Sequence, residues 1–268
     1  MRVPAVGFDI FNRMHRSLTF TALSGLPEMT RGADLAAHID AALKRQELAL
    51  ASSDVLIVAQ KIVSKIEGRM IDLASVSPGS EARRLAALTG KDPRLVEVIL
   101  QESEAVVRAA PKVLIVRHRL GFVMANAGVD RSNLAADAAE AAVLLLPRDP
   151  EASASGLRRE LQRRCGVSVG VIVSDSFGRP FRRGVLNVAL GAAGLVALRD
   201  RRGEPDRRGR RLEVTEVAVA DAVAAAAGLV MGEAAESVPV VLARGLDLSG
   251  PEQPARALLR PRTEDLFQ

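Results

Sequence analysis

Two stretches of this chain are strongly apolar and run straight into dense polar segments. The run from Asp54 to Ala59 is apolar at each position after the first, and Val167–Ser174 carries Val167, Val169, Val171, Ile172 and Val173. Both read as buried strands. The first is followed by Gln60–Arg69, the second by Asp175–Pro180. A fold that buries both strands therefore delivers charged and hydroxyl side chains to strand ends, where ligand sites commonly form.

The remaining pattern mixes the two periodicities. Leu18–Leu23 reads as a short strand ending in a turn at Gly25–Pro27, and Asp34–Ala51 carries apolar residues at helical spacing. Helices are expected at Ser80–Thr89, Pro93–Ser103, Ser155–Arg164 and Ala218–Met231. Strands are expected at Val113–Arg117, Gly121–Ala125, Leu212–Val214 and Pro239–Ala243, with loops at Asp149–Ser155 and Arg199–Arg211. No regular alternation of strand and helix is present, which points to a mixed α/β, or α+β, fold rather than a doubly wound sheet. Residues 1–20 are assigned to an N-terminal extension and 21–268 to the domain itself.

Composition narrows the function. The chain has no Trp or Tyr and seven Phe, so its core is aliphatic and it lacks the aromatic platforms of single-strand nucleic-acid binders. Its one cysteine, Cys165, excludes an internal disulfide and fits a reducing cytoplasm. The longest apolar run, Val217–Met231, is too short to span a bilayer and reads as a buried helix, so no membrane association is expected. Net charge is +5, and only five of the 37 basic residues are lysine. Arg/Ala-rich coding accounts for that balance, and attraction of polyanionic ligands is compatible with it.

No phosphate-binding GxxxxGK[ST] loop, GxGxxG, HExxH or CxxC motif occurs. With three histidines in the chain, a catalytic metal would be held by oxygen, which favours Mg²⁺ or Mn²⁺. Four segments could supply the chemistry. Lys61 and Lys65 stand four apart, on one face of a helix, and suit phosphate oxygens; a solvated helix start is the plain alternative. Asn126–Asn133 places Asp130 in a glycine-containing turn, as a metal or sugar ligand or simply an Asx-type turn. Ser174–Gly184 offers Asp175 and Ser176 to a hard cation, with Arg179, Arg182 and Arg183 close behind to clamp phosphate. Met231–Glu236 follows a helix; Gly232 there is either a C-cap or part of a site with Glu233. Together these groups form the inventory of metal-assisted phosphoryl transfer.

Several runs, in order, resemble the coenzyme F-420-0:γ-glutamyl ligase family: GLPEMTRGADL from Gly25, DVLIVAQKIVSKIEGR from Asp54, VILQESEAVVR from Val98, MANAGVDRSN from Met124, VSDSFGRPFRRGVLNVALGAAGL from Val173 and VMGEAAESVPVVLARGL from Val230. The closing ARALLRPRTEDLF is similar too, so the likeness covers about Leu23 to Phe267. The resemblance implies a mixed α/β homodimer of intertwined subdomains, GTP as energy source, two divalent cations and a monovalent cation such as K⁺. It implies L-glutamate and a deazaflavin phosphodiester precursor as substrates, with no role for nucleic acid. By that similarity Asp130, Asp175, Ser176 and Glu233 fall on metal-ligand positions. Leu26, Pro27, Glu28, Met29, Gln60, Lys61, Lys65, Asn133, Met231, Gly232, Ala234, Ala235, Glu236, Ser237 and Val238 fall on nucleotide-contacting positions. Lys65, Arg179 and Arg182 are assigned to hold phosphates during transfer. A paralogue with another acceptor would share these motifs, and a basic nucleic-acid binder using Arg182, Arg183 and Arg199–Arg211 is the reading from another class.

Overall fold

A computed structural model describes residues 17–131, 142–248 and 250–265. In chain order the elements are β1 (Thr19–Ala22), α1 (Leu35–Arg45), β2 (Val55–Ala59), α2 (Gln60–Ile66), β3 (Met70–Asp72), α3 (Ser80–Thr89), α4 (Pro93–Gln101), β4 (Ser103–Ala110), β5 (Val113–His118) and β6 (Val123–Ala125). They continue with β7 (Ala142–Leu144), α5 (Pro150–Cys165), β8 (Gly170–Arg179), β9 (Arg182–Ala193), β10 (Leu198–Asp200), β11 (Glu216–Ala218), α6 (Val219–Met231) and β12 (Val240–Arg244). The mixed α/β expectation holds.

The main sheet runs β1-β12-β2-β8-β9, with β2 and β8 parallel and the other pairs antiparallel. Both faces are covered, which explains the unbroken apolar runs. Leu56, Val58, Val171 and Val173 pack under α1 and α5 with Ile39, Leu43 and Leu161. Val55, Ile57 and Ile172 point the other way, against Val223, Ala224 and Ala227 of α6. A second unit sets α3 and α4 on the antiparallel β4-β5-β6 sheet, around Leu85, Val96, Ile99, Leu114 and Val116. The two units meet through the β3–β7 pair and through Arg69, whose Nε donates to Leu146 O at 2.9 Å and whose Nη2 donates to Glu102 at 2.7 Å.

Several expected boundaries move. Helix α1 stops at Arg45 rather than Ala51, because Gln46 turns back to bond Ser24 and Ala22 and Glu47 adopts a left-handed φ of 55°. Helix α5 starts at Pro150, inside the expected loop. Asp149 caps it by accepting from Ala152 N–H at 3.0 Å, and Pro150 fills the first turn, where its missing N–H has no partner to lose. Helix α4 ends at Gln101, and strand β4, unforeseen, begins at Ser103. No strand occupies Leu212–Val214; the pairing falls at Glu216–Ala218, against β10. Strand β8 does not end before Asp175 but continues to Arg179, in a long hairpin with β9.

That hairpin contains a bulge. Val173 pairs with Gly191 but Ser174 pairs with Ala189, leaving Leu190 as the extra residue. Gly191 then lies against the start of α5, where a Cβ would come within 2.3 Å of Pro150 backbone atoms. Among the described residues, no helix is long and apolar enough to cross a membrane.

Candidate active site

Strand β2 passes into α2 with no residue between them. The parallel register sets Ala59 opposite Ser174, so Gln60 and Lys61 emerge beside Asp175. Gln60 is buried and accepts from Ser64 Oγ at 2.8 Å, while its side chain also bonds Asp175. Lys61 and Lys65 both face a cleft of about 470 Å³, as their shared helix face requires. Lys61 Nζ lies 2.7 Å from Asp130 Oδ2, and Lys65 pairs with Glu28.

Asp130 comes from the second unit. Its N–H and C=O both pair with Leu144 of β7, at 3.0 and 2.8 Å, which ties it to the strand pair that follows α2. It is preceded by Asn126, Ala127 and Gly128, all with φ between 54° and 66°. For the two non-glycine residues this is a strained conformation. Asn126 Oδ1 is buried and accepts no hydrogen bond from the described residues, so no Asx bond from Asn126 to them holds the turn.

Asp175 is half-buried in β8. Burial pushes its carboxyl up to about 7; the Ser176 backbone N–H, Lys61 and the Gln60 side chain pull it back, and the Asp130 carboxylate pushes it further up. Its neighbour Ser176 donates from Oγ to Glu233 Oε2 at 2.8 Å. Glu233 follows the end of α6, where Gly232 (φ 74°) caps the helix as expected; a Cβ on that glycine would sit 2.1 Å from the Glu236 carboxyl carbon.

The cleft thus gathers most of the expected residues. Leu26, Pro27, Glu28 and Met29 line it from the β1–α1 loop, Gln60, Lys61 and Lys65 from α2, and Met231, Gly232, Glu233, Ala234, Ala235, Ser237 and Val238 from the segment after α6. Asp175 and Ser176 complete it. Glu236 stands just behind, accepting from Ala234 N–H at 2.8 Å. Asn133 lies outside the described residues. Arg179 and Arg182 face each other at the tip of the β8–β9 hairpin, away from the cleft lining. Two buried polar lining residues were not named as site residues: Ser174, which opens the Ser174–Gly184 segment, and Asn187. A lone serine or asparagine carries none of the density that marks the Lys and Arg clusters.

The donor set suits a hard cation. Asp130, Asp175, Ser176 and Glu233 offer only oxygen, and burial and a like charge disfavour the charged form of Asp175. Among the described residues, no three His, Cys, Asp or Glu side chains converge into a closed cage. That arrangement fits Mg²⁺-like ions, which take one or two carboxylates and complete their shell with water and ligand phosphate.

The arginine-rich segment after β9 is matched by local acids. Arg199 pairs with Asp247, Arg201 with Glu204, and Arg202 with Asp200 and Glu216. Much of its positive charge is answered within the protein, which weakens it as a nucleic-acid surface.

Comparison with known proteins identifies the family. The family model for F420-0:gamma-glutamyl ligase matches residues 25–245. The Coenzyme F420:L-glutamate ligase of Methanopyrus kandleri is 49% identical over 224 residues, 82% of this chain and 87% of the relative. That of Methanothermobacter thermautotrophicus is 45% identical over 256 residues, 94% and 99% of the two chains. The Methanocaldococcus jannaschii protein of the same name is 44% identical over 215 residues, 80% and 84%. With its polar cleft at the end of a mixed sheet, the chain is an enzyme of the ligase class. It belongs to the F420-0:gamma-glutamyl ligase family.

Proposed function

We propose that the protein joins L-glutamate to the terminal carboxylate of coenzyme F420-0, and extends the product again, using GTP. The carrying observation is the convergence of Lys61, Lys65, Asp175, Ser176 and Glu233 on one cleft, in a chain of this family. A carboxylate oxygen of the acceptor takes the γ-phosphoryl group as the bond to GDP breaks. The amine of L-glutamate then attacks the acyl phosphate carbonyl, loses a proton, and phosphate leaves with the C–O bonding pair. Lys61 and Lys65 hold phosphate oxygens and offset the negative charge that builds on them.

Asp130, Asp175, Ser176 and Glu233 would hold two divalent cations, Mg²⁺ or Mn²⁺, which supply Lewis-acid charge neutralisation when bound. A monovalent cation such as K⁺ would accompany them. A homodimer is also proposed. Phe181, 90% exposed, and Val185, 52% exposed, leave the hairpin tip with apolar surface suited to a second copy, and the phosphate-holding roles of Arg179 and Arg182 are proposed in that assembled state. A soluble cytoplasmic setting accords with these substrates.

GDP release from GTP is measured with Mg²⁺ or Mn²⁺ and L-glutamate, with and without the deazaflavin precursor, followed by mass analysis of the product. Turnover that requires the precursor and adds glutamate masses to it is expected. GTP binding without transfer to that precursor would instead indicate a paralogue acting on another acceptor.

A further inference from the structure

Strand β8 reaches the cleft through three polar residues, and among the described residues two of them have side-chain partners. Asp175 is bonded by Gln60 and by the Ser176 N–H, and Ser176 donates to Glu233. Ser174 Oγ is buried and has no hydrogen-bond partner among the described residues. The residue is 1% exposed and lines the cleft.

Side chains alternate along a strand. Ile172 packs into the cluster under α6, and Ser176 reaches Glu233 just beyond α6, so Ser174 between them faces that same side. Asn187 of β9 shares it: its side chain lies over α6 where residue 228 is glycine, and a Cβ there would fall 2.2 Å from Asn187 Nδ2. Asn187 is buried and also lines the cleft. One wall therefore carries a hydroxyl and a primary amide, opposite in character to the cationic wall of Lys61 and Lys65.

The fold gains nothing from the Ser174 hydroxyl. A buried polar atom without a partner destabilises the folded chain, and alanine would fill the same position without that penalty. Unsatisfied polar groups of this kind are retained where a ligand satisfies them. We propose that Ser174 is a further binding residue of the cleft, its hydroxyl bonding the bound nucleoside triphosphate, with the Asn187 amide beside it on the same wall. This rests on the nucleotide reading above.

The test is Ser174→Ala, read in two ways. Calorimetric titration with a non-hydrolysable GTP analogue and Mg²⁺ is expected to show affinity weakened about tenfold, the scale of one lost hydrogen bond to a charged or strongly polar group. Thermal unfolding of the ligand-free variant is expected at the wild-type temperature or above it. Unchanged affinity in a variant whose wild-type parent binds the analogue overturns the Ser174 assignment alone. A ligand-free variant that melts earlier also overturns it, since the hydroxyl would then serve the fold. Failure of the wild-type protein to bind the analogue overturns the nucleotide reading and this inference together.

Discussion

Glu102 and Asp175 are both carboxylates drawn away from water, and their surroundings drive them in opposite directions. Burial disfavours ionisation of Glu102, yet the nearby His118 ring, the bond from Arg69 and the charges of Arg69 and Arg119 hold it down to about 2. Arg69 Nη2 lies 2.7 Å away, Arg119 Nε 3.1 Å and His118 Nε2 3.5 Å. Burial also disfavours ionisation of Asp175, but there it wins, and the group rises to about 7. Asp175 has one backbone N–H, one amide and a lysine paired with a second carboxylate. The first cluster surrounds its carboxylate with two guanidinium groups and joins the two packed units. The second is short of positive charge, which the proposed divalent cations would supply.

The sharpest way to break this contrast is Asp175→Asn. Turnover is expected to fall about a thousandfold or more, the scale seen when a group acting on transition-state charge is lost. The ligand-free variant should nevertheless be as stable at pH 8 as the wild type, or more so. A raised carboxyl contributes stability below its unfolded value near 3.8 and loses it as pH rises through about 7. Near-normal activity in this variant would remove Asp175 from the metal site.

Glu102→Gln tests the other side. The depressed carboxyl contributes stability above its unfolded value near 4.5 and loses it as pH falls toward 2. Urea unfolding at pH 7 should show a loss of about 3 kcal/mol, because Arg69 is left buried without its partner. That deficit should narrow when the same comparison is made near pH 3. A variant as stable as its parent at pH 7 would mean that the cluster does not hold the units together.

Lys61→Gln has the smallest expected effect and refines the picture. Nucleotide affinity should weaken about tenfold, or 1.4 kcal/mol. The Asp175 titration, followed by carbon-detected NMR of the side-chain carboxyl, should move to still higher pH because Lys61 pulls it down. An unmoved titration would show that the lysine serves Asp130 alone.

What the sequence made legible follows from which interactions are local. Helix α3 was readable to the residue, because its apolar spacing and the Gly90 stop lie within the helix and its cap. The pairing of Lys61 with Lys65 was equally local. The missed strand β4 is exposed along its middle, from Glu104 to Arg108, and shows no buried alternation; it is defined by β5, not by its own pattern. The extension of β8 through Asp175 depends on β9 as well, since polar residues alone would have ended it. The nearness of Asp130 to Lys61 depends on Leu144, whose pairing partners lie elsewhere in the chain. Ser174 opened a singled-out segment, but its role and that of Asn187 were not legible, because they rest on the absence of a partner among the described residues for one and a glycine on another helix for the other.

Strand β12 lies between β1 and β2 and pairs with both, its Arg244 opposite Thr19 and its Val240 opposite Val58. The last of the described strands is therefore inserted between the first two, and the wall from Met231 to Val238 emerges immediately before it. Pairings of such long sequence separation form slowly and late. A nascent chain can bury α1 and begin the second unit early, yet it has no cleft until translation has passed β12. The proposed nucleotide capture would thereby require the chain through β12, and products cut short of it would carry Lys61 and Lys65 without the wall that faces them.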